Sequence, residues 1–273
     1  MRLTFIPPRP ELSPYVKAIW LIESTVGMPT QLQSLAVPDG CPKLFFLDEN
    51  SQTSVVSGRT QICREGLYFV GNRDRASLLR WSDRFTSSIG IDFFPQGAYS
   101  FFGIPMNETA NLLLDADTLF DQWGRQTTEQ LRNLETREQK VTSIQDELVK
   151  LLRKHQHSNR VVEFCVRALK SADGRLSMQK LQRETGYTRR YLDMLFQQHV
   201  GLAPRVMAGI FRFQKFYRKW AQGQSYELVK GEIYTDYYDQ AHFSKEFKRL
   251  TGYSPRSFMR EISNEFARRL ILE

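Results

Sequence analysis

The sequence predicts an α+β chain: a β-rich amino-terminal domain, sandwich or barrel-like, over residues 1–155, then an all-helical domain over residues 156–265. Three observations carry this reading. Short apolar runs broken by Pro and Gly fill the first 110 residues, and helical periodicity replaces them further on. The charge divides along the same line. Residues 1–150 carry a net −3 and residues 151–273 a net +11, within an overall +8. Such asymmetry is what a near-neutral module attached to a polyanion-binding module would show.

Taking the elements in order, apolar runs at 15–16 with 18–22, 44–47, 67–70 and 89–94 have strand length. Turn signals separate them at Pro38-Asp39-Gly40, 48–51, Ser57-Gly58 and Gly71-Asn72. Many aromatics accompany these runs, among them Trp20, Phe45, Phe46, Tyr68, Phe69, Phe93 and Tyr99. They fit either a filled core or the lining of an apolar pocket. From Thr128 to Lys154 there is no Gly or Pro, and the spacing predicts one helix. Its stripe of Leu134, Val141, Ile144, Leu148 and Leu151 suits packing within the chain or against a second copy, which makes a homodimer a candidate assembly. The polar stretch 155–159 is the expected linker.

Two segments of the basic half share a plan. In the first, Ser177 precedes an amphipathic run that stops at Gly186, and Thr188 precedes a second run with Leu192, Leu195 and Phe196 on one face. Ser and Thr are good N-caps, and Gly ends helices because it tolerates positive φ. In the second, Asp239 caps a run whose buried face is Phe243, Phe247 and Leu250. Helix, tight turn and helix, twice, give two helix-turn-helix units joined by a helix from Pro204 to about Ala221.

The run 237–258, with Tyr-Tyr-Asp-Gln-Ala-His-Phe, Phe247 and Thr251-Gly252-Tyr253-Ser254-Pro255, closely resembles the signature of AraC family regulators. Gly186-Tyr187-Thr188, Tyr191-Leu192, Phe196 and 201–204 form a fainter first copy in register. Upstream, Pro38-Asp39-Gly40, 90–97 and Gly103-Ile104-Pro105 resemble an uncharacterised domain that often precedes this unit. The resemblance implies a sequence-specific transcription regulator that places two recognition helices in successive major-groove faces of double-stranded DNA. It implies base or phosphate contacts from Arg189, Arg190 and Asp193 in the first helix. In the second it implies Gln240, His242, Ser244 and Lys245, with Lys248 and Arg249 on phosphates. RNA polymerase and a small-molecule effector are the further partners it brings into view.

The sequence departs from the family pattern where the helices of each unit touch. Gln182 and Glu232 stand where a small Ala is usual, Asp236 stands where Gly is usual, and Gly231 weakens its helix by about 1 kcal/mol relative to Ala. These departures keep a second reading in view, an interaction module of the same fold that has lost specific DNA binding.

Other classes find little footing. The histidines are His155, His157, His199 and His242, so no His-rich metal site is expected in the first 150 residues. No phosphate loop or activated nucleophile is legible, and neither enzyme activity nor a cofactor is expected. Asp39 and Asp92 read as turn and strand-edge residues, although a pairing in space is open to them. Cys41, Cys63 and Cys165 lack paired or metal-ligand spacing, and free thiols fit a reducing compartment. No apolar run reaches membrane-spanning length and no signal peptide is legible, so a cytoplasmic protein is expected.

Overall fold

The computed structural model describes residues 2–24, 34–48, 53–57, 59–81, 86–154, 157–224, 231, 237 and 239–262. Its amino-terminal part holds two antiparallel sheets. The larger pairs β1 (Arg2–Ile6), β2 (Val16–Ser24), β9 (Thr86–Phe93), β4 (Lys43–Leu47), β7 (Gly66–Val70) and β10 (Leu113–Asp115), in that order. The smaller pairs β3 (Ser34–Ala36), β8 (Ser77–Trp81), β5 (Thr53–Ser57) and β6 (Arg59–Cys63). All four apolar runs expected as strands lie in β2, β4, β7 and β9, the central strands of the larger sheet.

Strand alternation gives the larger sheet two different faces. Ile19, Leu21, Leu44, Phe46, Leu67, Phe69, Ile89, Ile91 and Phe93 point into a core covered by helices. Those helices are α1 (Gly97–Phe102), α2 (Ala116–Leu119), α3 (Asp121–Arg132) and α4 (Arg137–Lys154). The opposite face carries Trp20, Ile22, Lys43, Phe45, Leu47 and Asp92, which line a cavity instead. One departure from alternation matters. Register shifts between Val16 and Ala18, and the bulge turns Lys17 toward that cavity.

The single helix expected from Thr128 to Lys154 is two helices. Thr136 interrupts it with a capping box: its Oγ1 accepts from Gln139 N at 3.2 Å, and Gln139 Oε1 accepts from Thr136 N at 3.1 Å. Within α4, Val141, Ile144 and Leu148 are buried in the amino-terminal core and Leu151 packs beside them. The stripe therefore packs inside the chain, and polar substitution there would open the core rather than separate two copies.

The carboxy-terminal part has helices and no strand among its described residues: α5 (Arg160–Ser171), α6 (Met178–Thr185), α7 (Arg189–His199), α8 (Pro204–Ala221), α9 (Gln240–Thr251) and α10 (Pro255–Glu261). A strongly aromatic core joins them, with Phe213, Phe216, Phe243, Phe247 and Phe258 fully buried. Leu35 of β3 belongs to the same core, so the two parts share a packed interface. No described helix is long and apolar enough to cross a membrane.

Candidate nucleic-acid interface

The first helix-turn-helix unit is built by its caps. Ser177 Oγ accepts from Lys180 N at 3.2 Å to start α6, and Gly186 ends it with φ of 73°. A Cβ at Gly186 would meet nothing within 4 Å, so conformation and not space calls for glycine there. Thr188 Oγ1 accepts from Tyr191 N at 3.3 Å and starts α7. Leu192, Leu195, Phe196 and His199 are buried, which turns Arg189, Arg190, Tyr191, Met194, Gln197 and Gln198 outward.

In the second unit Asp239 Oδ1 accepts from His242 N at 2.6 Å to start α9. Phe243, Phe247 and Leu250 face the core, and Gln240, Lys245, Lys248 and Arg249 are exposed. Ser244 and His242 are half-buried, and the His242 ring turns onto Tyr237 at 5.5 Å. Glu232 and Asp236, two of the departures from the family pattern, lie outside the described residues.

The residues expected to contact DNA thus divide. Arg190, Gln240, Lys245 and Lys248 point outward from the two helices. Arg189 and Asp193 pair with each other at 3.6 Å across one helical turn. Arg249 lies 3.7 Å from Asp74 of the amino-terminal domain. Tyr191 and Met194 sit beside Arg190 on the outward face and escaped the sequence reading, which sought charged and amide side chains. The spacing of Leu192, Leu195 and Phe196 already implied that they face away from the core.

A buried ion pair holds the units together. Arg212 on α8 donates through Nη2 to both carboxylate oxygens of Glu246 on α9, each at 3.1 Å, and through Nη1 to Gly174 O at 2.6 Å. The Arg212 and Glu246 side chains are only 14% and 12% exposed. The guanidinium also lies 5.3 Å from the Tyr237 ring, and burial, then Glu246, hold that phenol above its ordinary pKa. A Cβ at position 209 would come within 2.8 Å of Glu246 Oε2, so Gly209 of α8 makes room for the pair. Arg212 therefore ties the turn before α6 to the second recognition helix through one side chain.

The amino-terminal domain grips both units. Asn72 Nδ2 donates to Val200 O at 2.8 Å and to Pro95 O at 3.1 Å. Gln198 Nε2 donates to Tyr99 Oη at 3.1 Å, and the His199 ring packs 4.1 Å from the Tyr99 ring. Burial and then the neighbouring His157 push the His199 pKa down, which keeps that ring neutral against Tyr99. Gln214 on α8 donates to Pro38 O at 2.6 Å, in the expected Pro38-Asp39-Gly40 turn.

That turn also borders the cavity, about 240 Å³, which lies between the two sheets and is closed on one side by Gln214 and Tyr217 of α8. Gly90 on β9 leaves room for the Trp20 ring in its lining, since a Cβ there would stand 1.8 Å from that ring. Lys43 brings Asp39 and Asp92 together, with its Nζ at 2.7 Å from one and 3.0 Å from the other. Burial works against the Asp39 charge, but Lys43 and Lys17 hold its carboxyl below the ordinary value. Lys17 Nζ has Cys41 Sγ at 3.7 Å and no carboxylate in ion-pair range among the described residues. Burial, reinforced by Asp39, pushes the Cys41 thiol up to about 11, so it supplies no negative charge at neutral pH. Arg73 donates to Ser77 Oγ, its buried Nε has no hydrogen-bond partner, and burial lowers its pKa.

Family models place these parts. One described as a helix-turn-helix domain matches residues 181–261, the span of both units after the first cap, and is of the AraC type. Residues 181–261 are an AraC-type helix-turn-helix domain. The chain accordingly carries the DNA-binding domain of a transcription regulator. A second model, a domain of unknown function named DUF6597, matches residues 4–115, from within β1 to the end of β10, ahead of the AraC-type domain. No curated protein matches the chain. Among solved structures, ToxT from Vibrio cholerae is 12% identical with a TM-score of 0.47, covering 89% of this chain and 99% of its own. Wild-type ToxT bound to an unsaturated fatty acid is 12% identical at 0.45, over 89% and 96%. The AraC-like transcriptional activator CuxR is 16% identical at 0.25, over 82% and 88%. At TM-scores below 0.5 these likenesses decide nothing about the present chain.

Proposed function

We propose that the chain recognises operator DNA by laying α7 and α9 in successive major-groove faces. The observation that supports this most is the Arg212–Glu246 link, which ties α9, with its outward basic and polar face, through α8 to the turn that opens the first unit. A major groove admits one α-helix, and successive faces of it lie about 34 Å apart. Arg190 reads a base edge, whereas Lys248 holds a phosphate. Arg190→Ala is expected to cost about 1–3 kcal/mol on the selected operator and little on scrambled DNA. Lys248→Ala is expected to weaken both about equally and to lower the salt slope by about one phosphate contact. Fluorescence anisotropy on the two duplexes, with salt varied, compares them. Equal behaviour of the two variants removes the assignment of roles.

The amino-terminal domain is the regulatory half of this reading, with residues 1–155 and 156–265 as its two modules. Three cations, Lys17, Lys43 and Arg73, line the cavity against two carboxylates, Asp39 and Asp92. Lys43 takes both carboxylates in direct ion pairs, so among the described residues Lys17 and Arg73 feel Asp39 only at longer range and the largely apolar lining keeps one net positive charge. Exposed Lys17 and half-buried Arg73 can turn that charge toward an anion that enters the cavity. A small effector with an apolar body and an anionic head would supply that anion. Its contact with Tyr217 and Gln214 would give it a different affinity for docked and released DNA-binding halves, which regulation requires. A panel of hydrophobic carboxylates is expected to raise the thermal midpoint of the chain, and their neutral amides are not. Lys17→Ala is expected to abolish the difference. Amides that stabilise as well as acids would remove the anionic head from the proposal.

A further inference from the structure

We propose that Tyr187, Tyr191 and Met194 form an apolar reading face that recognises thymine methyl groups, so that the first unit selects its half of the operator by methyls. This rests on the DNA-binding reading above and names what α7 reads. Among the described residues six large hydrophobic side chains are exposed, and three of them fall in this one stretch: Tyr187 at 41%, Tyr191 at 39% and Met194 at 53%. Single exposed hydrophobics are ordinary surface, but a contiguous group marks a contact surface. A spacing of three residues puts Tyr191 and Met194 on one side of α7, and the ring of Tyr187, just ahead of the Thr188 cap, lies 4.8 Å from the Tyr191 ring.

Charge selects the occupant. Around the patch exposed Lys180, Arg183, Arg189 and Arg190 outnumber Glu184 and Asp193, with which Lys180 and Arg189 pair, and residues 151–273 carry a net +11. An apolar protein partner would have to leave those cations facing it. Duplex DNA supplies phosphates to meet them and, in the major groove, the C5 methyl of thymine to meet the apolar centre. The corresponding outward side of α9 is Gln240, Lys245 and Lys248. That surface suits hydrogen-bonded base edges and phosphates. The first unit thus adds methyl contacts to the base edge read by Arg190, and the second reads polar edges.

The test uses the full chain and an operator enriched from random duplexes. Each thymine is replaced in turn by uracil, which removes the methyl and keeps every hydrogen-bonding group. At one or more positions the wild type is expected to lose about fourfold in affinity per methyl removed. Met194→Gln and Tyr191→Ser are expected to bind the thymine and uracil forms alike at those positions, while Met194→Leu keeps the difference. Circular dichroism checks that the variants fold, and Met194→Leu decides the matter where a polar variant does not. The proposal fails if no uracil substitution weakens wild-type binding, or if the polar variants stay as methyl-sensitive as the wild type. Variants that keep full affinity and methyl sensitivity but lose transcriptional output would make the patch a protein-docking face and overturn it. Absence of any enriched sequence would overturn the DNA-binding reading itself, and this inference with it.

Discussion

Operator affinity is expected to fall by roughly a thousandfold between 50 and 200 mM salt, the loss that goes with about six neutralised phosphates. The charge asymmetry motivates the size of the effect: a net +11 over residues 151–273 against −3 before them. Exposed Lys180, Arg183, Arg190, Lys245, Lys248 and Arg256 supply cations on or beside the two recognition helices. Each that neutralises a phosphate releases counterions, so the logarithm of affinity falls linearly with the logarithm of salt. Arg249 is a special case, because Asp74 competes with phosphate for it. Asp74→Ala is expected to leave the fold intact and steepen the slope. An affinity that moves less than tenfold over this salt range would mean that few phosphates are held, and would favour an interaction module that has lost DNA.

Arg212→Ala is expected to destabilise the helical half by about 3–5 kcal/mol, because it leaves the Glu246 carboxylate buried without its cation. It also removes the donor to Gly174 O and the cation over Tyr237. Replacing both partners by apolar residues of similar volume, Arg212→Met with Glu246→Leu, is expected to recover most of that stability. The double variant lacks the tether between the turn before α6 and the second recognition helix. Its affinity for a single half-operator should match the wild type and its affinity for the whole operator should not. Chemical denaturation and binding to half and whole sites measure the two effects. A single variant as stable as the wild type would mean that the pair is not buried in solution.

The parts of the fold that are local in sequence were legible in it. Ser177, Gly186, Thr188 and Asp239 sit where the sequence reading put them, because caps and turn glycines act within three or four residues. The four long apolar runs became the central strands for a similar reason. Core on one face and cavity lining on the other make these strands continuous apolar runs, legible by their length. The break at Thr136 was legible in principle, as a Thr three residues before a Gln, but the apolar spacing on either side outweighed it. Lys17 was not, since its direction comes from a bulge opposite β9. Asp39 and Asp92 needed Lys43 to bring them together across β4 and β9. Arg212 and Glu246 lie 34 positions apart and Asn72 and Val200 128 apart, and no spacing rule links residues at such separations. The grip of the amino-terminal domain on both units thus came only with the three-dimensional structure.

The central claim is that one polypeptide reads two major-groove faces. Methylation and thymine-oxidation interference on an operator enriched by the full chain measures this most directly, because both modifications report major-groove atoms base by base. The expected pattern is two protected clusters centred about one helical turn, roughly 10 base pairs, apart on the same side of the duplex. Arg190→Ala should erase one cluster, and the remaining one should be lost on substituting Gln240 and Lys245. A single cluster, or two that both disappear with Arg190→Ala, would contradict insertion of α7 and α9 as separate reading heads.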